Sequence, residues 1–214
     1  MIEAVLFDMD GLLLDSERVN AESVLACAKE MGWVIPWETV CSVIGTNSAR
    51  TDALFSAAEP AYDGARMHEK MNAWLRARGY DARMPLKPFA AETVKSLKAR
   101  GLRLALVTST DSLRAERNMR SAGLWECFDA VVTGDLGLPS KPAPDVFLRG
   151  AELLGVDISR CAVFEDSYNG LRAGRAAGAL TVMVPDMLPY REELAPFCDH
   201  VAENLREAEE WICR

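Results

Sequence analysis

The apolar residues of this chain fall into two rhythms. Short runs that are apolar at almost every position recur as AVLF (4–7), LRLALV (102–107), AVV (130–132), CAVF (161–164) and TVMV (181–184). After residue 87 these runs alternate with segments of helical periodicity, FAAETVKSLKARG and LRAERNMRSAGL, each ending near a Gly that suits a helix C-terminus. Strands that are apolar on both faces and joined by helical crossovers predict an α/β fold whose parallel sheet is covered on both sides.

Between Asp15 and Pro85 the rhythm breaks. The segments SERVNAESVLACAKEMG, WETVCSVIG, SARTDALFSAAE and GARMHEKMNAWLRARG all read as helical, and no strand pattern interrupts them. A block of that size is too long for an ordinary crossover. The expected organisation is a doubly wound, Rossmann-like core of residues 1–15 and 86–214, with an α-helical cap of residues 16–85 inserted after the first strand. The alternative is one larger domain whose extra helices pack on a sheet face.

Composition narrows the function more than the fold. A chain that is 50% hydrophobic and 26% charged can bury a core and is expected to be ordered throughout. Its net charge of −8 argues against a general nucleic-acid or anionic-membrane binder, since either needs a basic face. A small anion held by the local charges of one pocket is not excluded. Six scattered cysteines without CxxC spacing argue against a zinc site or disulfide framework, and are expected to be reduced and mostly buried. No run approaches the roughly 18 to 20 apolar residues of a membrane span, and no leader pattern precedes the first strand. A cytoplasmic location is expected; the oligomeric state is open, and a monomer suffices.

Candidate chemistry lies at the strand ends, where open parallel sheets bind ligands. The first strand ends at Asp8, with Asp10 two residues on; the second runs into Thr108-Ser109, the third into Thr133-Gly134-Asp135, and the fourth into Glu165-Asp166. Carboxylates gathered this closely repel unless a cation joins them or one stays protonated. Mg²⁺, a hard ion that prefers oxygen ligands, is the natural counter-charge, and Lys141 in SKPAPDVF supplies another. Asp8 could attack phosphorus as a nucleophile, with Asp10, presented by a turn that Gly11 permits, as general acid and base. Thr108, Ser109 and Lys141 would hold the phosphoryl oxygens.

In order, FDMDGLLLDSE, LVTST, SKPAPD and FEDSYNG resemble the four motifs of the haloacid dehalogenase-like superfamily, in its β-phosphoglucomutase and sugar-phosphatase branch with a helical cap. The resemblance implies a metal held by Asp8, the Asp10 carbonyl and Asp166, with Glu165 bound directly or through water. It also implies a mobile cap that closes over the substrate, with Arg50 as the cap cation that meets it. The expected substrate is a small phosphorylated metabolite, in particular a sugar phosphate, hydrolysed through an aspartyl phosphate.

A β-phosphoglucomutase is the alternative. That branch resembles a motif with a cationic or amide-bearing segment after the second strand, whereas this chain has Thr110-Asp111-Ser112, and Asp111 would repel a second phosphate. A non-enzymatic phosphate-accepting module is a minor third reading. Elsewhere, Asp15 reads as a helix-start or hinge residue, Ser167 and Asn169 as organisers of a helix cap, and His68 and His200 as exposed helix residues. Trp37 and Trp74 read as part of the cap core.

Overall fold

The computed structural model describes residues 1–44 and 48–214. Its sheet is parallel throughout, in the order β3-β2-β1-β4-β5-β6, with β1 Ala4–Phe7, β2 Arg103–Val107, β3 Ala130–Val132, β4 Cys161–Glu165, β5 Leu180–Met183 and β6 His200–Val201. Consecutive side chains of a strand point to opposite faces, and β1 uses both. Ala4 and Leu6 pack against α7 (Asp145–Leu154) and α8 (Tyr168–Ala177), in a cluster that includes Phe147, Ala151 and Ala173. Val5 and Phe7 face α5 (Ala90–Ala99), α6 (Ser112–Ser121) and α9 (Leu205–Ile212), whose Val94, Leu97, Met119 and Leu205 are buried there. Phe7 meets Phe164 edge-on, at 5.3 Å between ring centroids, which ties β1 to β4 beneath the site.

From β1 the chain builds outward through β2 to β3, then crosses back to β4 on the other side of β1. The strand order therefore reverses around β1, and the carboxyl ends of β1, β2 and β4 meet at this switch point.

Four helices lie between β1 and α5: α1 (Ser16–Met31), α2 (Trp37–Ser42), α3 (Ser48–Ala58) and α4 (Gly64–Ala77). They surround a cluster of their own, with Val24, Cys27, Trp33, Val40, Phe55 and Met67 buried together. Met187, from the loop after β5, packs against it. The segments leading out to these helices and back lie side by side. Leu14 bridges Leu86 in antiparallel fashion, the Asp15 amide donates to the Pro85 carbonyl (2.9 Å), and the Lys87 amide donates to the Leu13 carbonyl (2.9 Å).

Three expectations need correction. Trp37, expected in a core, opens α2 and is 49% exposed, because it lines an open cavity with Tyr168, Met187 and Arg191 rather than packing against a layer. His200 is a β6 residue rather than a helical one, and its ring stacks on Trp211 at 4.6 Å. All six cysteines are free, but only Cys27 and Cys161 are buried.

Candidate active site

Three neighbouring strands converge on a lysine. Lys141, from the loop before α7, is nearly enclosed, with 8% of its side chain exposed. Its Nζ donates to Asp8 Oδ1, to Glu165 Oε1 (2.7 Å) and to the carbonyl of Val107 (3.1 Å). A single ammonium thus links the ends of β1, β2 and β4.

Glu165, the last residue of β4, is fully buried. Its Oε2 accepts from the amides of Asp166 (3.1 Å) and Ser167 (3.0 Å) and from Ser167 Oγ (2.9 Å). Both carboxylate oxygens are therefore engaged by protein donors. Ser167 in turn caps α8 by accepting from the Gly170 amide (3.1 Å), as its sequence context predicts. Gly170 makes the packing possible, because a Cβ there would lie 1.8 Å from Glu165 Oε1.

Asp10 sits in a turn closed by the Gly11 amide on the Leu14 carbonyl (2.9 Å). Gly11 is required twice: its φ is +80°, and a Cβ would lie 2.2 Å from Asp166 Oδ2. Asp10 Oδ1 accepts from Ser16 Oγ (2.7 Å), while Oδ2 accepts from Thr110 Oγ1 (2.7 Å) and, more weakly, from Thr108 Oγ1 (3.5 Å). Thr108 is buried and its hydroxyl also accepts the Thr110 amide (3.0 Å).

The remaining sequence candidates lie farther out. Ser109 is exposed, and no hydrogen bond of its side chain occurs among the described residues. Arg50 stands exposed in the first turn of α3, and the Gly45-Thr46-Asn47 segment before it lies outside the described residues. Asp135 turns away from the cluster, accepting from Thr133 Oγ1 (2.6 Å) and from Ser112 Oγ (2.7 Å) and its amide (3.1 Å). Asp111 caps α6 through the Arg114 amide (3.0 Å). Asp15 pairs with Arg18 and lies 3.9 Å from Lys87, which also pairs with Asp186.

Sequence reasoning missed Ser16, Thr110 and Glu17 as site residues. Ser16 and Thr110 are hydroxyls inside the motifs DSE and LVTST, but nothing in those motifs says that they reach Asp10. Glu17 is half-buried, and its carboxyl is pushed up to about 8 by burial and by the charges of Asp10, Asp8 and Asp186.

Burial dominates the electrostatics of the cluster. It raises Asp8 to about 7, with Lys141 opposing and Glu165 and Asp10 adding to the rise. Asp166 is pushed well above the usual carboxylate range by burial and then by Glu165, Asp8, Glu17 and Asp186. Burial works against the charge on Lys141, but Asp8 and Glu165 outweigh it and its pKa is raised. The negative charge thus exceeds what one lysine neutralises. Asp8, Glu165 and Asp166 can each bring a carboxylate oxygen within 4.8 Å of the others, an all-oxygen donor set that fits a hard divalent cation.

A doubly wound sheet with a buried carboxylate and lysine edge at its switch point defines the chain as an α/β enzyme of the phosphatase type. The family model of the haloacid dehalogenase-like hydrolases matches residues 2–178, and the chain belongs to that family. It is 31% identical over 175 residues to fructose-1-phosphate phosphatase YqaB of Escherichia coli, covering 81% of this chain and 92% of that protein. It is 33% identical over 191 residues to the chloroplastic protein Suppressor of Quenching 1 of Arabidopsis thaliana, covering 87% of this chain but only 18% of that longer protein. Among solved structures, a HAD family hydrolase from Deinococcus radiodurans with bound phosphate and sodium superposes with a TM-score of 0.82. It shares 26% identity, covering 99% of this chain and 95% of that one. No helix among the described residues is long and apolar enough to cross a membrane.

Proposed function

We propose that this protein is a Mg²⁺-dependent phosphomonoester hydrolase acting on a small sugar phosphate through an aspartyl phosphate. The observation that carries the reading is Lys141 bridging Asp8 and Glu165 beside an Asp10 held by three hydroxyl groups. The fructose-1-phosphate specificity named for YqaB supports the substrate class.

Asp8 attacks phosphorus, a P–O bond forms to its carboxylate, and the bond to the leaving oxygen breaks. Asp10, in its protonated form, gives its proton to that oxygen. In the second half Asp10 takes a proton from water, the water oxygen attacks phosphorus, and the bond to Asp8 breaks, restoring the carboxylate and releasing phosphate. Lys141 and the Thr108 hydroxyl hold phosphoryl oxygens, with Ser109 on the exposed rim. Asp8, Asp166 and the Asp10 carbonyl would hold Mg²⁺, with Glu165 serving it through water while anchoring Lys141. The ion would neutralise phosphoryl charge and keep Asp8 ionised at neutral pH.

Helices α1–α4, residues 16–85, act in this reading as a cap turning on the paired segments at Leu14 and Leu86. Ser16 belongs to α1 and hydrogen-bonds Asp10, so the position of the cap is felt by the acid. Arg50 is the cap residue assigned to substrate.

A β-phosphoglucomutase is the second reading. Asp111 at the start of α6 disfavours a second phosphate there, which favours hydrolysis. A screen of phosphorylated metabolites with Mg²⁺, scoring phosphate release and glucose 6-phosphate formation together, separates the two. Hydrolysis abolished by Asp8→Asn and suppressed by chelator is expected; persistent turnover without metal would overturn the proposal.

A further inference from the structure

A cavity of about 330 Å³ lies between α4 and α6, lined by none of Asp8, Asp10, Lys141, Glu165 and Asp166. In a chain of net charge −8 its walls are strongly basic: Arg76 comes from α4, Arg114 and Arg117 come from one face of α6, and Asp81 is the one carboxylate lining it among the described residues. No ion pair or side-chain hydrogen bond among the described residues engages the guanidinium of any of these three arginines. That is unusual here, since Arg120, one turn farther along α6, pairs with both Glu116 and Glu126.

A second observation is independent of charge. Asn118 also lines the cavity and is 6% exposed as a residue; its side-chain amide has no hydrogen bond among the described residues and is not among the fully buried atoms left without a partner, so it keeps its small opening toward the cavity. An amide that keeps only a small opening and has no protein partner is left for water or a ligand in the cavity to satisfy. Arg76, Arg114, Arg117, Asn118 and Tyr80 line this one cavity, and planar guanidinium forks match the oxygens of phosphate.

We propose that this cavity is a binding site for a phosphate-bearing anion, separate from the catalytic carboxylates. Arg114, Arg117 and Asn118 hold the phosphate from the core side, and Arg76 closes on it from α4. Asp81 accepts a hydroxyl where the anion carries an organic part. Because the site takes groups from both α4 and α6, its occupation ties the inserted helices to the sheet layer.

The test is isothermal titration of the metal-free full-length protein with inorganic phosphate and, separately, with a hexose monophosphate. Without metal the carboxylate edge repels anions, while the arginine cavity does not depend on metal. One-to-one binding is expected, weakened at least tenfold in Arg114→Gln/Arg117→Gln and in Arg76→Gln, and unchanged in affinity in Asp8→Asn. Tighter binding of the hexose phosphate identifies the occupant as an organic phosphate, and equal affinities identify free phosphate. Absent binding, or binding that the arginine substitutions leave unchanged, overturns the proposal. So does binding that tightens in Asp8→Asn, which would put the anion at the catalytic edge, where loss of a carboxylate relieves repulsion. The hydrolase reading can fail while this result stands, since no turnover is measured.

Discussion

Replacing Lys141 by Met tests whether one ammonium holds the strand ends together. Met keeps the length and apolarity of the stem, which passes 5.0 Å from the Phe147 ring, but removes the charge and all three donated bonds. Removing one member of a buried ion pair costs roughly 3–5 kcal/mol because the partner charge is stranded. Here two carboxylates are stranded, and because Asp8 can protonate the cost depends on pH. Asp8 already has a raised pKa of about 7 in the folded protein, against about 4 for an unperturbed Asp. A group raised on folding contributes stability below its unfolded pKa and loses it as pH rises through the folded value. Without Lys141 the folded value rises further, so the wild type and the variant diverge most above about pH 7 and converge toward about pH 5. Urea unfolding of metal-free protein, followed by tryptophan fluorescence, should show a loss of about 3–5 kcal/mol near pH 8 and a clearly smaller loss near pH 5. A loss under about 1 kcal/mol, or one equal at both pH values, refutes the assignment of Lys141 as the charge that holds Asp8 and Glu165.

Gly170→Ala should force Glu165 out of its pocket, lowering the thermal midpoint and the turnover number together, because the added Cβ would lie 1.8 Å from Oε1. An unchanged melting curve would contradict that packing. Asp10→Asn should lower kcat by about a hundredfold to ten-thousandfold in a phosphate-release assay while leaving stability nearly intact, since an amide still accepts from Ser16. Cys161, buried and with its thiol pushed up to about 11, should resist alkylation in the native protein near pH 8, whereas exposed Cys213 reacts; mass spectrometry of the labelled peptides reads this directly.

The strands were legible because they are buried on both faces. AVLF, AVV and CAVF coincide with β1, β3 and the start of β4 to within a residue. β6 was missed, as His200–Val201 is too short and too polar to give a period. The helical block was readable from its 3.6-residue pattern, but Trp37 shows the limit of that pattern: an apolar residue at a helix end can face an open cavity instead of a core. At the site, Asp8, Asp10, Lys141, Glu165 and Asp166 could be placed because strand ends in a parallel sheet gather at one edge. The hydroxyls that orient Asp10 depend on turn geometry, and side-chain direction within a turn is not written in spacing. The Arg76, Arg114 and Arg117 cavity was illegible for a different reason, since its walls come from helices whose approach depends on tertiary docking alone.

The pairing of Leu14 with Leu86 bears on how such a chain can diversify. Residues 16–85 leave and rejoin the sheet layer at adjacent points, each secured by backbone hydrogen bonds that are indifferent to side-chain identity. Domains whose ends lie close together tolerate wholesale exchange of what lies between them. The helices could therefore be replaced by an unrelated insert without moving Asp8, Lys141 or Glu165. Asp10 would give up the Ser16 hydroxyl but keep those of Thr108 and Thr110, which belong to the sheet layer. The sheet layer and the inserted helices can thus diverge at different rates within one chain.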